Sequence, residues 1–193
     1  MRSRRAFIAA ATIVLSYPAA LAVEQLFGGG AETVIHLVTG AGFVLFATSV
    51  FDFGLPRWVS WVGAVAAGAF GGIFLLQGVS DVTHVEAVRV VAFDVLGHHL
   101  ERFLPDVVYL WFIALLLWAS TGRSRVLGWV VMTIVVASEL AALAAVLFDL
   151  TLPNLKVVIL LPFVWLLFES VKPAEPKHAA SRFGRRELAE GQA

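Results

Sequence analysis

FDVLGHHLERFLPD, residues 93–106, decides the topology of this chain. It places two histidines, an arginine and three carboxylates in a sequence that is 60% hydrophobic and only 15% charged. Soluble domains average about 45–50% apolar and about 25% charged residues. Runs of 18 or so apolar residues mark membrane-spanning helices. Six such runs can be read around the quoted stretch, at about 6–27, 33–53, 58–80, 107–120, 126–148 and 155–171. The question is whether 81–106 crosses as a seventh.

Basic residues near span ends favour the cytoplasm. If 81–106 does not cross, the cytoplasmic side collects Arg2, Arg4, Arg5, Arg57, Arg123, Arg125, Lys172, Lys177, Arg182, Arg185 and Arg186. The other side keeps Arg89, Arg102 and Lys156. A seventh span would turn the TGRSR loop and the basic tail outward and weaken that bias. The expected architecture is therefore an all-α, polytopic transmembrane helical bundle. It has six spans plus one amphipathic or re-entrant helix on the extracytoplasmic side. Residues 1–171 form a single helical domain, and 172–193 a basic, disordered cytoplasmic tail. The expected location is the inner membrane, multi-pass, with both termini cytoplasmic. The partners are the lipid bilayer and a homodimer or membrane-protein partner, with no role for nucleic acid.

SRRAFI at residues 3–8 matches a twin-arginine export pattern, and Ala20-Leu21-Ala22 fits a small-residue cleavage site. An uncleaved first helix with a positive-inside anchor is the preferred reading. The chain has no cysteine, so disulfides, thiolate metal sites and thiol nucleophiles are excluded.

On one continuous α-helix, residues 81–104 separate into two faces. Thr83, His84, Glu86, Asp94, Gly97, His98, Glu101 and Arg102 share a polar stripe, while Arg89, Asp81 and His99 fall on the apolar side. Pro105 suits the first turn of the next helix. That next span has only about 14–15 apolar residues, short of the roughly 20 needed to cross. Its outer end, with Asp106 and Tyr109, is therefore expected below the membrane surface.

Asp94, His98 and Glu101 stand at i, i+4 and i+7 on that stripe. Carboxylates and imidazoles so spaced can ligate a divalent metal ion or exchange protons. One helix rarely supplies a whole ligand set. His36, one turn after Glu32, and His84, beside Asp81, are the natural additions. The expected metal set is thus Asp94, His98, Glu101, His36 and His84. Glu139 lies inside the fifth strong span, and an intramembrane carboxylate suggests function. As a catalytic set, His98 is the acid/base, Asp94 orients it, and Glu139 is a second carboxylate. A bis-histidine haem between His36 and His99 is geometrically conceivable. The bland alternative is a solvated amphipathic helix with ordinary ion pairs.

Ser60, Ala64, Gly68 and Gly72 form a small-residue stripe on the third span, as do Ala137, Ala141 and Ala145 on the fifth. Most of the six tryptophans are expected at span ends as interfacial anchors.

FDVLGHHLERFLP resembles a motif of the YjdF-like family of uncharacterised bacterial inner-membrane proteins of similar length. Phe93, Asp94, Gly97, His98, Phe103 and Pro105 match, and Glu139 in ASELAAL corresponds to a downstream glutamate. DLTLPNLK stands where the family carries an acidic motif with glycine and tryptophan. The resemblance implies no activity, but it singles out Asp94, His98 and Glu139. The resulting expectation is an outward-facing His/carboxylate site that binds a metal cation or relays protons, in a transporter-like protein or a membrane enzyme. The alternative is a non-catalytic membrane scaffold or assembly subunit.

Overall fold

The computed structural model describes residues 3–97, 100, 103–120, 122–148, 158 and 160–171. His98, His99, Glu101, Arg102, most of 149–159 and the tail 172–193 lie outside the described residues.

Helix α1 (Arg4–Phe27) starts at Ser3. The Ser3 hydroxyl oxygen accepts the Ala6 N–H at 3.0 Å and donates to Asp52 at 2.7 Å. One side chain thus caps the helix and ties it to the chain following α2. Gly28 ends α1 and Gly30 precedes α2, both with positive φ that glycine adopts without strain. α2 (Ala31–Ser49) runs back alongside α1 and tightens into a 3₁₀ turn, Val50–Phe53. α3 (Arg57–Thr83) returns against α2. These three helices make the tightest contacts in the fold.

Glycines set that spacing. A Cβ on Gly40 would meet the Gly71 carbonyl oxygen at 2.8 Å, and one on Gly71 would meet the Gly40 oxygen at 2.7 Å. The α2 and α3 backbones are in contact, as small residues permit. The expected stripe of Ser60, Ala64, Gly68 and Gly72 is therefore displaced. Ser60 is buried, but Gly68 meets only Ala47 at 3.7 Å, and Gly72 meets nothing within 4 Å. The packing positions are Gly63, Gly71 and Gly78. A strict four-residue step drifts around a helix of 3.6 residues per turn.

The expected single helix over 81–104 is broken. α3 continues through Asp81 to Thr83, and His84 caps it in the left-handed region at φ 53°. Histidine is among the few non-glycine residues that tolerate this conformation. A new turn, α4 (Glu86–Arg89), passes directly into a π-helical stretch, Val90–Gly97. The wider winding redistributes its side chains. Ala92 and Gly97 are buried, whereas Asp94 is exposed with Val90, Val91 and Val95. Gly97 and Asp94 therefore do not share a face.

α5 (Leu104–Trp118) has Pro105 in its first turn, as expected. Its 15 residues span about 22 Å at 1.5 Å per residue. That falls short of a hydrocarbon core of about 30 Å. Among the side chains described on α6 (Gly122–Phe148), a narrow edge of Ser124, Gly128, Met132 and Val135 is buried. α7 (Leu161–Val171) packs on α1 and α6. Among the described residues four helical segments are long and apolar enough to cross a membrane: Arg4–Phe27, Ala31–Phe53, Arg57–Thr83 and Gly122–Ala141.

An aromatic knot joins α2, α5 and α7. The Phe46 ring lies 5.2 Å from Trp111 and 5.3 Å from Phe163, and Phe112 lies 5.3 Å from Phe163. Edge-to-face packing of this kind adds to the area buried. Trp111 and Trp165 are each only 2% exposed, so they are core residues rather than interfacial anchors. The Trp165 indole donates to the Ser124 carbonyl and fixes α7 to α6. Trp58, Trp61, Trp118 and Trp129 remain on the surface. So do many valines and leucines, including Leu15, Val65, Leu110 and Leu140. Thr12, Thr48, Thr83, Thr133 and Ser138 turn their hydroxyls back onto carbonyls of their own helices. That pattern spares polar groups from apolar surroundings.

Candidate functional site

The site lies where α1 ends, α2 begins and α3 ends. The antiparallel register of α2 and α3 builds it. Gly40 faces Gly71, Gly78 faces Leu37, and one step further His36 meets Asp81. The His36 Nδ1 and the Asp81 Oδ2 are 2.7 Å apart, with the side chains 17% and 23% exposed. With Asp81 ionised, the Nδ1–H donates to the carboxylate. The ring is then oriented, and in its neutral form the tautomer is fixed with the lone pair on Nε2. Phe74 and Phe93 hold the ring edgewise at centroid distances of 5.6 and 5.9 Å. Nε2 has no hydrogen-bond partner among the described residues.

Two cavities meet at this pair. The outer is an open cleft of about 910 Å³, lined by Glu24, the 29–33 turn, Ser80, Asp81, His84, Glu86, Arg89 and Phe93. The inner, about 420 Å³, is bounded by Tyr17, Glu32, His36 and Thr39, with Phe43, Phe70, Phe74 and Phe93 among its apolar walls. Glu32 and Phe93 line both. Asp81 faces the outer cleft and His36 the inner cavity, so their hydrogen bond joins the two.

Among its described lining residues the outer cleft carries four carboxylates against one arginine. Arg89 is held by Glu86 through two hydrogen bonds, at 2.9 and 2.8 Å. Those bonds, and then the adjacent positive charge, keep the Glu86 carboxyl below its ordinary pKa. The same bonds raise Arg89, with a smaller contribution from Asp94. Glu24, Glu32 and Asp81 are not matched by that arginine. A cleft with an excess of one sign concentrates counter-charge, here cations. On α1, the Ser16 hydroxyl accepts from Thr39 at 2.9 Å and donates to the Ile13 carbonyl at 2.7 Å. This link holds α1 against α2 beside the inner cavity.

The sequence-predicted residues divide. His36 and His84 reach this region, His84 at the rim of the cleft. Asp94 is exposed and lines neither cavity. Glu139, on α6, is also exposed and lines neither cavity. The proposed metal ligands His98 and Glu101 lie outside the described residues, as does the haem candidate His99. Among the described residues no group of three or more His, Asp or Glu is placed to hold a metal ion. The His36–Asp81 contact itself was not anticipated. Its signal lay in the turns: helices joined by GGG and by GLP place an early α2 residue beside a late α3 residue.

No protein-family model, curated protein or solved structure matches the chain. The resemblance to the YjdF-like family therefore rests on residues 93–105 and Glu139.

Proposed function

We propose that this is an integral inner-membrane protein whose His36–Asp81 site, open to the extracytoplasmic side, binds a cation or relays protons. Six spans are retained in this reading, with both termini cytoplasmic, because the basic residues divide eleven to three across that topology. α5 and the 155–171 segment supply the two shorter crossings. In that orientation the end of α1, the start of α2 and the end of α3 all face outward. Acids in the cleft draw cations in, and the His36 Nε2 offers a lone pair or takes a proton. Asp81 acts by orienting the ring.

One observation carries the proposal: a carboxylate–imidazole pair at the junction of an acidic cleft and an inner cavity. His36 and Asp81 together provide fewer donors than the usual four-ligand metal site. The geometry thus favours a proton or a cation held with few protein ligands. Among the described residues Asp94 and Glu139 lie outside both cavities, so the reading rests on His36 and Asp81.

The test uses the full chain in proteoliposomes. Proton and cation flux is measured with a pH-sensitive dye and with K⁺, Mg²⁺ and Zn²⁺ gradients, alongside cation binding by titration calorimetry. Wild-type protein should bind or move at least one of these, and His36→Gln and Asp81→Asn should each lose that response. An inert wild type, or two fully active variants, would favour the scaffold alternative.

A further inference from the structure

The inner cavity carries a more specific reading of the same site. Its volume of about 420 Å³ lies within the range of small-molecule pockets, roughly 300–1,000 Å³. A water occupies about 30 Å³ of liquid volume, so a bare ion would leave most of the space to solvent. The walls are poorly suited to solvent. Phe43 and Phe70 are 4.8 Å apart, and Phe70 and Phe74 are 4.8 Å apart, forming one continuous aromatic surface. Ile13, Ile35, Pro105 and Leu160 extend it. The polar groups are few and include Tyr17, Glu32, His36 and Thr39. Among the described lining residues Glu32 is the one carboxylate, and it also borders the cleft.

An apolar body with one cationic end complements such a lining. An anion would face Glu32, with Glu24 and Asp81 along its approach. A neutral apolar molecule would leave the His36 Nε2 without a partner and would make no use of the Glu32 charge, which stays solvated from the cleft. A protonated amine satisfies both, through a charge-assisted bond to Glu32 and an N–H donated to Nε2. Phe74 and Phe93 flank that position, and aromatic faces attract cations. Phe93 lines both cavities, so a ligand passing from the cleft goes by its ring.

Resting on the reading above, we infer that the ligand of this site is a small organic ammonium ion with an apolar or aromatic body. Its nitrogen lies between Glu32 and His36, and its body against Phe43, Phe70 and Phe74. Binding involves no covalent step. Asp81 is a positioning residue that fixes the His36 tautomer to receive the N–H.

The experiment uses the full chain in lipid nanodiscs, with 2-phenylethylammonium as probe and 2-phenylethanol and phenylacetate as its neutral and anionic counterparts. Equilibrium dialysis is run against empty nanodiscs to subtract lipid partitioning. The amine should bind saturably, the alcohol about tenfold or more weaker, and phenylacetate not at all. Glu32→Gln should cost the amine about tenfold while leaving the alcohol unchanged. Thr39→Phe, which fills the cavity, should abolish amine binding. Histidine ¹⁵N spectra of the same samples report whether the His36–Asp81 bond is present. Equal binding of amine and alcohol, or amine binding that survives Thr39→Phe, overturns the inference. If the pair is present but the amine does not bind, the ammonium reading falls and the cation or proton site stands. If the pair is absent, the underlying site reading falls with it.

Discussion

Two adjacent glycines on α3 give the sharpest test of the packing that builds the site. A Cβ on Gly71 would come within 2.7 Å of the Gly40 oxygen, 2.9 Å of the Val44 nitrogen and 3.0 Å of the Phe43 Cβ. The first two are backbone atoms, so no rotamer change relieves them. α2 and α3 must move apart. A Cβ on Gly72 meets nothing within 4 Å. Both substitutions to alanine gain the same helix propensity, about 1 kcal/mol. Forcing a methyl group into a filled interface costs about 1–3 kcal/mol. The propensity gain cancels between neighbours, so Gly71→Ala should be less stable than Gly72→Ala by about 1–3 kcal/mol. Unfolding in mixed micelles with rising SDS, followed by circular dichroism, measures the difference. Gly40→Ala should behave like Gly71→Ala, because its Cβ would meet the Gly71 oxygen at 2.8 Å and the Leu75 backbone nitrogen at 2.9 Å. Equal stability of the Gly71 and Gly72 variants would refute the α2–α3 contact, and with it the register that pairs His36 with Asp81.

Three further outcomes follow from the site. Arg89→Ala removes the hydrogen bonds that depress Glu86, so the Glu86 carboxyl should titrate at higher pH, measured by ¹³C NMR. The sign is that of a depressed carboxylate: whatever the pair contributes is present above the unfolded pKa and lost as pH falls through the folded one. Because both groups are fully exposed, the change in unfolding midpoint should be small. Asp94→Asn and Glu139→Gln should leave the His36 resonances unmoved, since neither residue lines the cavities; a shift in either would restore it to the site. Ser16→Ala removes the partner of Thr39 and should cost about 1 kcal/mol in the same SDS assay. An unchanged midpoint would show that this hydrogen bond does not hold α1 to α2.

The helical class and the breaks at 28–30 and 54–56 were legible because glycine and proline interrupt long apolar runs. The shortness of α5 was legible too, from the distance between Pro105 and the TGRSR loop. The 81–106 segment was legible only in part. Its histidines and acids mark a region apart from the spans, but a uniform 100° projection placed Asp94 and Gly97 on one face. The αL cap at His84 and the π-helical winding of 90–97 undo that projection, and nothing in the composition of VVAFDVLG announces wide turns. Glu139 attracted notice as a carboxylate in an apolar run, yet burial depends on which edge of α6 meets its neighbours. That edge is Ser124, Gly128, Met132 and Val135. His36 was picked out by its type, whereas its partner depended on helix register. Gly40, Gly71 and Gly78 set that register, and only contact geometry separates them from Gly68 and Gly72.

The most direct measurement is the histidine ¹⁵N–¹H spectrum of the full chain in nanodiscs, with His36 assigned by its absence in His36→Gln. The bond to Asp81 predicts a slowly exchanging Nδ1–H for His36, with Nε2 unprotonated, and loss of that pattern in Asp81→Asn. A His36 imidazole that exchanges freely with water, and is indifferent to Asp81→Asn, would contradict the site on which the functional reading stands.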